Sequence, residues 1–221
     1  MPSILNKNIN IAIIDYKVSN MFSIKNALDY LGYKCQITSN PREILKADGA
    51  VLPGVGSFPE AMEHLYDLRL IEIIKEFIST GKPFMGICLG LQLLFSKSEE
   101  FYNCEGLNII SGKVENFKKY ISSEPIPHVG WNRIENYVDE KDSSSEGFKK
   151  LNIKNNEYFY FVHSLFVKPD INNYIFSETN FSNFKFCSSI MHNNIFACQF
   201  HPEKSGIKGL KIFENFFSME K

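Results

Sequence analysis

Over the first part of the chain, short apolar runs of strand length alternate with longer segments in which apolar residues recur every three or four positions. The runs Ile9–Ile14 and Ala50–Leu52, and a third that ends before Cys88, predict buried strands. The segments between them predict amphipathic helices, and the first of these helices ends before Gly32. Alternation of this kind predicts a parallel sheet with helices on both faces.

Two of the predicted helices carry start signals. Asn40 and Pro41 fit the N-cap and first helical positions. The segment Ser57–Glu60 has the residue types and spacing of a capping box, in which Ser57 and Glu60 cap each other's backbone N–H groups.

The pattern changes after Phe95. Between Gly106 and Gln199 the chain has short runs rich in Phe, Tyr, Ile and Val, which predict antiparallel or mixed strands that extend the sheet. These runs are Lys113–Phe117, Tyr158–Val162, Tyr174–Phe176 and Phe184–Ile190. A last amphipathic helix is predicted from Gly206 to Phe217. We therefore predict an α/β fold, with one domain over residues 1–221, a mostly parallel central sheet and an antiparallel or mixed extension.

Composition narrows the class of protein. Of the 221 residues, 44% are hydrophobic and 22% charged, which is ordinary for a soluble globular protein, and the net charge of −1 argues against nucleic acid or an anionic membrane as partner. No apolar run has the length of a membrane span, and residues 1–7 lack the features of a signal peptide. The five cysteines are scattered without a Cys-x-x-Cys pair, so we expect free thiols, no metal site and a cytoplasmic location.

The third apolar run ends in Gly86–Gly90, which reads Gly-Ile-Cys-Leu-Gly, and a helical pattern with Leu91, Leu94 and Phe95 follows at once. This order is typical of a nucleophile elbow, a sharp strand-to-helix turn centred on the reactive residue. The two glycines prevent a collision between side chains on either side of the turn. A lone cysteine in an apolar run is more often a core residue. Glycines at both offsets, and a helix dipole that favours the thiolate, instead indicate that Cys88 is a nucleophile.

A thiolate nucleophile needs a proton-transfer group, usually a histidine held by a carboxylate. His201 follows an apolar strand and precedes Pro202 and Glu203. We expect Pro202 to fix an extended segment, in which residues two apart point to the same side, so that Glu203 bonds His201. The tripeptide alone is equally compatible with a His-Pro turn and a solvated glutamate. In combination with the elbow it favours a Cys-His-Glu triad.

The oxyanion of such a reaction needs N–H donors. The backbone N–H of Leu89, within the elbow, is one candidate. The loop Pro53–Gly56, which reads Pro-Gly-Val-Gly after a predicted strand, is a candidate for the second. By itself, a Pro-Gly loop is also explained as a simple turn.

Besides the elbow and the His-Pro-Glu sequence, several further segments contain motifs: Ile14–Tyr16, Leu52–Phe58, Pro127–Asn132, Tyr160–Ser164 and Gln199–Ser205. With these motifs the chain resembles the class I, or triad, glutamine amidotransferases, and more narrowly the glutaminase subunits of imidazole glycerol phosphate synthases. The most specific motifs are His-x-Gly-Trp-Asn and the Glu-Lys-Ser continuation. The resemblance covers nearly the whole chain and implies the class I amidotransferase fold.

The resemblance implies a role for each matching residue. Cys88 would be the nucleophile, His201 the acid and base, and Glu203 the residue that orients His201. The remaining roles fall into three groups: oxyanion amides from Gly54, Val55, Gly56 and Leu89; a glutamine pocket lined by Gln92, His163 and Ser164; and a partner interface with Asn20, Trp131 and Lys204. The implied chemistry uses no cofactor and no metal.

The implied reaction is hydrolysis of L-glutamine to glutamate and ammonia. The ammonia would pass to a (βα)8 cyclase subunit that makes imidazole glycerol phosphate and AICAR in histidine biosynthesis. Because the glutaminase fold accounts for all 221 residues, we expect the acceptor chemistry to come from this partner in a heterodimer.

Two departures from the family pattern leave alternatives open. Lys17, Val18 and Ser19 precede Asn20 where the family usually has a glycine-rich segment, and Val129 replaces a methionine. One alternative is a paralogous subunit that supplies ammonia for sugar modification in surface-polysaccharide biosynthesis. The other is an autonomous Cys-His γ-glutamyl hydrolase, which the docking-type motif around Trp131 argues against.

Overall fold

In the computed structural model, which describes residues 7–17, 20–137, 151 and 153–218, the main feature is a mixed sheet of twelve strands. The described strands, of which β8 and β10 lie outside this sheet, are β1 Lys7–Ile14, β2 Tyr33–Thr38, β3 Gly49–Leu52, β4 Phe84–Ile87, β5 Phe95–Ser98, β6 Cys104–Glu105, β7 Ile110–Asn116, β8 His128–Arg133, β9 Glu135–Asn136, β10 Tyr158–His163, β11 Leu165–Pro169, β12 Ile175–Phe181, β13 Phe184–His192 and β14 Ile195–Cys198. The α-helices among the described residues are α1 Met21–Tyr30, α2 Pro41–Lys46, α3 Phe58–Asp67, α4 Leu70–Ser79, α5 Leu89–Leu93 and α6 Gly206–Phe217.

The sheet has a parallel half and a largely antiparallel half. Strands β2, β1, β3, β4 and β14 lie side by side in that order, and each neighbouring pair is parallel. Beyond β14 the order continues through β13, β11 and β7, with antiparallel pairs. Strand β5 pairs with β7 in parallel, and β6 closes this edge. The predicted α/β fold, with a mostly parallel central sheet and an extension, is confirmed.

Alternate residues of the central strands supply two separate cores, because successive side chains of a strand point to opposite faces. Ile11 and Ile13 pack in a cluster that also contains residues of α1 and α6. Ala12 and Ile14 pack in a second cluster with residues of α2, α3 and α4. Helices therefore cover both faces of the parallel half, as predicted.

Three local predictions were wrong. The segment Ser57–Glu60 starts α3, but it does not form a capping box: the side chain of Ser57 makes no capping hydrogen bond to a backbone N–H, and its hydroxyl lies 3.5 Å from a Glu60 oxygen. Phe95 belongs to β5 rather than to the helix after Cys88, which ends at Leu93. The run that forms β10 does not extend the main sheet, because it pairs with β8 in a separate two-stranded ribbon.

Other boundaries follow the sequence signals closely. The side chain of Asn40 accepts a hydrogen bond from the N–H of Arg42 at 2.9 Å, with Pro41 at the first helical position. Helix α6 spans the predicted residues. In the part of the chain that the structure describes, no helix is both long and apolar enough to cross a membrane.

Candidate active site

The turn at Cys88 has the geometry of a nucleophile elbow. Cys88 stands between β4 and α5 with φ +55° and ψ −109°, a conformation that non-glycine residues rarely adopt. A Cβ on Gly90 would lie 1.9 Å from the carbonyl oxygen of Leu52, and one on Gly86 would lie 2.9 Å from the carbonyl oxygen of Gly90. Both glycines are therefore required by close backbone contacts: Gly86 meets Gly90 across the turn, as predicted, whereas Gly90 is required by its contact with Leu52 of β3.

The elbow and the His-Pro-Glu segment meet because their strands are neighbours. Strand β4 pairs with β14 in parallel, so Cys88 and His201 follow strands whose carboxyl ends lie at the same edge of the sheet. The N–H of Cys88 donates to the carbonyl oxygen of Cys198 at 2.8 Å and closes this junction.

His201 and Glu203 form the predicted contact. Nδ1 of His201 lies 2.8 Å from Oε1 of Glu203, and both side chains are buried. The backbone conformation that allows this contact differs from the predicted one, because Pro202–Lys204 forms a 3-10 turn rather than an extended segment. The turn brings the carboxylate back to the ring of His201. Nε2 of His201 is buried and has no hydrogen bond of ordinary length to another described residue.

The surroundings of His201 favour its charged form. Burial alone lowers the pKa of the imidazole, but the side chains of Cys88 and Glu203 outweigh burial and raise this pKa to about 10. A protonated imidazole beside the sulfur stabilises a thiolate. The three side chains can therefore hold an ion pair of thiolate and imidazolium with a carboxylate behind it.

The predicted oxyanion loop packs directly on the elbow. A Cβ on Gly54 would lie 2.7 Å from the Cβ of Leu89 and 2.9 Å from the nitrogen of Gly90. The hydroxyl of Tyr16 donates to the carbonyl oxygen of Pro53 and holds the start of this loop. Gly56 is exposed with φ +106°, so the loop passes from a buried contact to the surface within three residues.

Of the segments predicted to line the glutamine pocket, the one that contains His163 and Ser164 passes next to the sulfur. The Sγ of Cys88 lies 3.9 Å from the carbonyl oxygen of Val162, which precedes His163 and Ser164. Gln92 is buried, and its Nε2 donates to the carbonyl oxygen of Leu165 at 3.2 Å and to Oε1 of Gln199 at 3.0 Å.

Sequence reasoning missed Gln199 as a site residue. It is fully buried, and its Nε2 donates to the Sγ of Cys88 at 3.5 Å. A signal was available, because Gln199 is a polar residue at the end of an otherwise apolar strand and two positions before His201. Buried polar side chains need partners, so its position next to a predicted site residue was informative.

A second missed feature is a pair of buried histidines next to the triad. Nδ1 of His163 lies 2.7 Å from the carbonyl oxygen of Leu165, and its Nε2 lies 3.0 Å from Nδ1 of His128. The side-chain amide of Asn132 lies 3.2 Å from Nε2 of His128. A carbonyl oxygen can only accept, so Nδ1 of His163 carries a proton and its Nε2 accepts from Nδ1–H of His128. Nε2 of His128 then accepts from Asn132, and both rings are neutral.

The predicted interface residues differ in exposure. Trp131 is 56% exposed on the outer face of the β8–β10 ribbon, where its ring meets that of Tyr160 at 6.3 Å. Val129, also 56% exposed, shares that face, and Lys204 is exposed next to the triad turn. Asn20 is buried, and neither its amide nitrogen nor its amide oxygen has a hydrogen-bond partner among the described residues.

The departure at Lys17 has a conformational consequence. Lys17 adopts φ +71°, a backbone conformation that favours glycine and costs other residues about 1–2 kcal/mol. The loop therefore keeps a glycine-type conformation without a glycine. Val18 and Ser19 lie outside the described residues.

The fold and the arrangement of Cys88, His201 and Glu203 define a class of enzyme in which a thiol, an imidazole and a carboxylate act together on an acyl group. The sequence model of the family "Glutamine amidotransferase class-I" matches residues 12–219. A solved structure described as a glutamine amidotransferase superposes with a TM-score of 0.69, covering 93% of this chain and 96% of the other at 12% identity. That likeness concerns the fold alone.

Curated relatives narrow the class. Imidazole glycerol phosphate synthase subunit HisH of Caldanaerobacter subterraneus is 45% identical over 96% of this chain and 98% of its own length. The subunit of the same name from Methanocaldococcus jannaschii is 46% identical over 95% of this chain and 99% of its own length. The chain belongs to the class-I glutamine amidotransferases and, within them, to the HisH subunits of imidazole glycerol phosphate synthase.

Proposed function

We propose that this chain hydrolyses L-glutamine with Cys88, His201 and Glu203 and delivers the ammonia to a (βα)8 cyclase subunit, which uses it to make imidazole glycerol phosphate and AICAR in histidine biosynthesis. The observation that carries the proposal is the meeting of the three side chains at the ends of β4 and β14, with Cys88 strained into an elbow. The family membership supports the histidine pathway over sugar modification. No cofactor is needed for this chemistry.

The reaction follows from the charges and positions of these groups. The Cys88 thiolate attacks the side-chain amide carbon of glutamine, and backbone N–H groups of Leu89 and the loop Gly54–Gly56 stabilise the oxyanion. The imidazolium of His201 donates its proton to the leaving nitrogen, and ammonia departs to leave a thioester. His201 then removes a proton from water, which attacks the thioester and releases glutamate with the thiolate restored.

The partner accounts for the exposed aromatic face of the ribbon. Trp131 and Val129 lie on one side of β8, with Tyr158 and Tyr160 beside them on β10. Exposed aromatic groups of this kind favour a protein interface, and Lys204 next to the triad adds a charge that a carboxylate of the partner can bind. We propose a heterodimer of residues 1–221, as a single domain, with the cyclase subunit in the cytoplasm.

Reconstitution tests the proposal. Mixing the purified chain with a histidine-pathway cyclase subunit, its phosphoribosyl ribulose substrate and glutamine, without ammonium salt, is expected to yield imidazole glycerol phosphate. The glutaminase rate is expected to rise on complex formation. Trp131→Ala serves as the matched variant and is expected to weaken association, measured by sedimentation, since it removes the largest exposed aromatic ring of the ribbon. A complex that forms but makes no imidazole glycerol phosphate from glutamine would contradict the pathway.

Replacing Glu203, the carboxylate of the triad, is expected to lower the glutaminase rate without abolishing it. Glu203→Gln keeps an oxygen that can accept from Nδ1 of His201 but removes the charge that helps to raise the pKa of His201. We expect kcat for glutamine to fall in Glu203→Gln. This loss is expected to be about 10- to 100-fold smaller than the loss in a variant without the Cys88 nucleophile. Steady-state glutaminase assays of the complex check this. A Glu203→Gln enzyme as inactive as a Cys88 variant would show that the carboxylate does more than orient the ring.

A further inference from the structure

A buried carboxamide that the triad does not use lies against the nucleophilic sulfur. Gln199 directly follows β14, is 0% exposed, and points its Nε2 at the Sγ of Cys88 with a separation of 3.5 Å. The N–H···S distance is within the range of a hydrogen bond to sulfur.

The orientation of this amide is determined by its other partner. Nε2 of Gln92 donates one hydrogen to the carbonyl oxygen of Leu165 at 3.2 Å and the other to Oε1 of Gln199 at 3.0 Å. Because the carbonyl oxygen of Leu165 can only accept, the nitrogen of Gln92 must face it. The oxygen of Gln199 therefore faces Gln92, and its nitrogen faces the sulfur.

The carbonyl oxygen of Leu165, which accepts from Gln92, has a second hydrogen-bond donor. The oxygen of Leu165 also accepts from Nδ1–H of His163, so both of its lone pairs are occupied. A flip of Gln199 would place its oxygen against the thiolate and its nitrogen against the nitrogen of Gln92. Both contacts would be repulsive, so one orientation of Gln199 is strongly preferred.

We propose that Gln199 is a further catalytic residue, which donates a hydrogen bond to the Cys88 thiolate and aims the sulfur, and that Gln92 positions Gln199 for this task. The inference rests on the proposed function, since it takes Cys88 as the nucleophile. A hydrogen bond from a neutral N–H is stronger to a charged acceptor than to a neutral one, so Gln199 favours the thiolate over the thiol. Gln92 then contributes to the reaction through Gln199 as well as through any contact with glutamine.

Gln199→Met tests this assignment, because methionine has a similar length and volume but cannot donate. Alkylation of Cys88 by iodoacetamide across a pH series is expected to be about tenfold slower at neutral pH, with the half-maximal rate displaced by about one pH unit to higher pH. In the complex, kcat for glutamine is expected to fall while KM stays unchanged. Alkylation at the wild-type rate throughout the series would overturn the proposal.

Asn194→Leu is the matched control at the opposite end of β14. The Asn194 amide donates to the carbonyl oxygens of Ile78 and Lys82 at 2.9 and 2.6 Å, so its loss also removes two amide hydrogen bonds but leaves the sulfur untouched. Its alkylation profile is expected to match the wild type, and an equal slowing in both variants would show a merely structural effect and overturn the assignment.

Gln199→Glu provides a second variant of nearly the same shape. A carboxylate beside the sulfur opposes the thiolate, so alkylation is expected to be slower than in Gln199→Met, and a rate at or above that of the wild type would contradict the proposal. Because alkylation needs neither glutamine nor the cyclase subunit, this outcome is distinguishable from a failure of the proposed glutaminase function.

Discussion

Replacing Cys88 with alanine is expected to abolish glutamine hydrolysis, with a loss of at least about 10⁴-fold in kcat. The sulfur is the atom that attacks the amide carbon, and no neighbouring described side chain is placed to substitute for it. The complex with the cyclase subunit is expected to form and to make imidazole glycerol phosphate when ammonium salt replaces glutamine. Measuring both rates on the same preparation separates loss of the nucleophile from loss of the fold. Glutaminase activity retained in Cys88→Ala would contradict the mechanism.

Covalent labelling provides a second test of Cys88 as the nucleophile. A chloroketone analogue of glutamine is expected to modify Cys88 alone among the five free thiols, as read by peptide mass spectrometry. Cys104 is the informative control, because it is more exposed than Cys88 but its pKa is raised by partial burial and by Glu105. Cys104→Ala is expected to retain full labelling and activity. Preferential labelling of Cys104 would indicate that access rather than activation decides reactivity.

Acid is expected to destabilise the folded chain through the buried histidine pair. Burial lowers the pKa of His163 to about 3, with further lowering by His128 and His201, and burial lowers the pKa of His128 to about 4. In the unfolded chain each pKa returns to about 6.5, so the unfolded state binds more protons below that pH. The stability from these neutral rings is present above about pH 6.5 and is lost as pH falls through the folded-state pKa values of about 4 for His128 and about 3 for His163.

The expected size of this effect is large for a protein of ordinary stability. Lowering the pH from 7 to 5 is expected to remove about 2 kcal/mol of unfolding free energy per histidine, or about 4 kcal/mol for the pair. Total stabilities of domains are about 5–15 kcal/mol. Urea unfolding at a series of pH values measures the slope. His128→Gln is expected to be less stable at pH 7 but to lose stability less steeply on acidification.

Nuclear magnetic resonance gives an independent readout of the same pair. Both rings are expected to remain neutral, with the proton on Nδ1, in the folded chain between about pH 5 and about pH 8. His201, whose pKa is raised, is expected to remain protonated over the same range. An unchanged acid slope in His128→Gln, or titration of either ring near pH 6.5 in the folded chain, would contradict the assignment.

The elements that were predicted correctly are those with a local physical cause. The run before Cys88 becomes β4, and Gly86 and Gly90 are required by backbone contacts of the turn that the sequence had indicated. Helices α2 and α6 begin where Asn40 and Gly206 place them. For Gly86 and the two helix starts, the deciding interactions lie within a few residues along the chain, whereas Gly90 is additionally fixed by the carbonyl oxygen of Leu52 on a neighbouring strand.

The predictions that were wrong depended on distant partners. The side chain of Ser57 makes no capping hydrogen bond, and the N–H of Phe58 at the start of α3 is bonded by Glu100, which is distant along the chain. The aromatic run of β10 pairs with β8 rather than with the main sheet, and its inward side chains Phe159 and Phe161 join the core cluster on one face of that sheet. Alternation along a strand tells which side chains share a face but not which strand lies alongside.

The sequence by itself determined the order of strands and helices, the strained turn at Cys88, and the short-range contact between His201 and Glu203, because steric limits and hydrophobic periodicity act over a few residues. Only the tertiary structure decided that β4 lies next to β14, which brings the thiol to the imidazole. It also placed Gln199 against the sulfur and joined His128 to His163. These contacts depend on how distant segments pack, and buried polar groups find their partners only when that packing is complete.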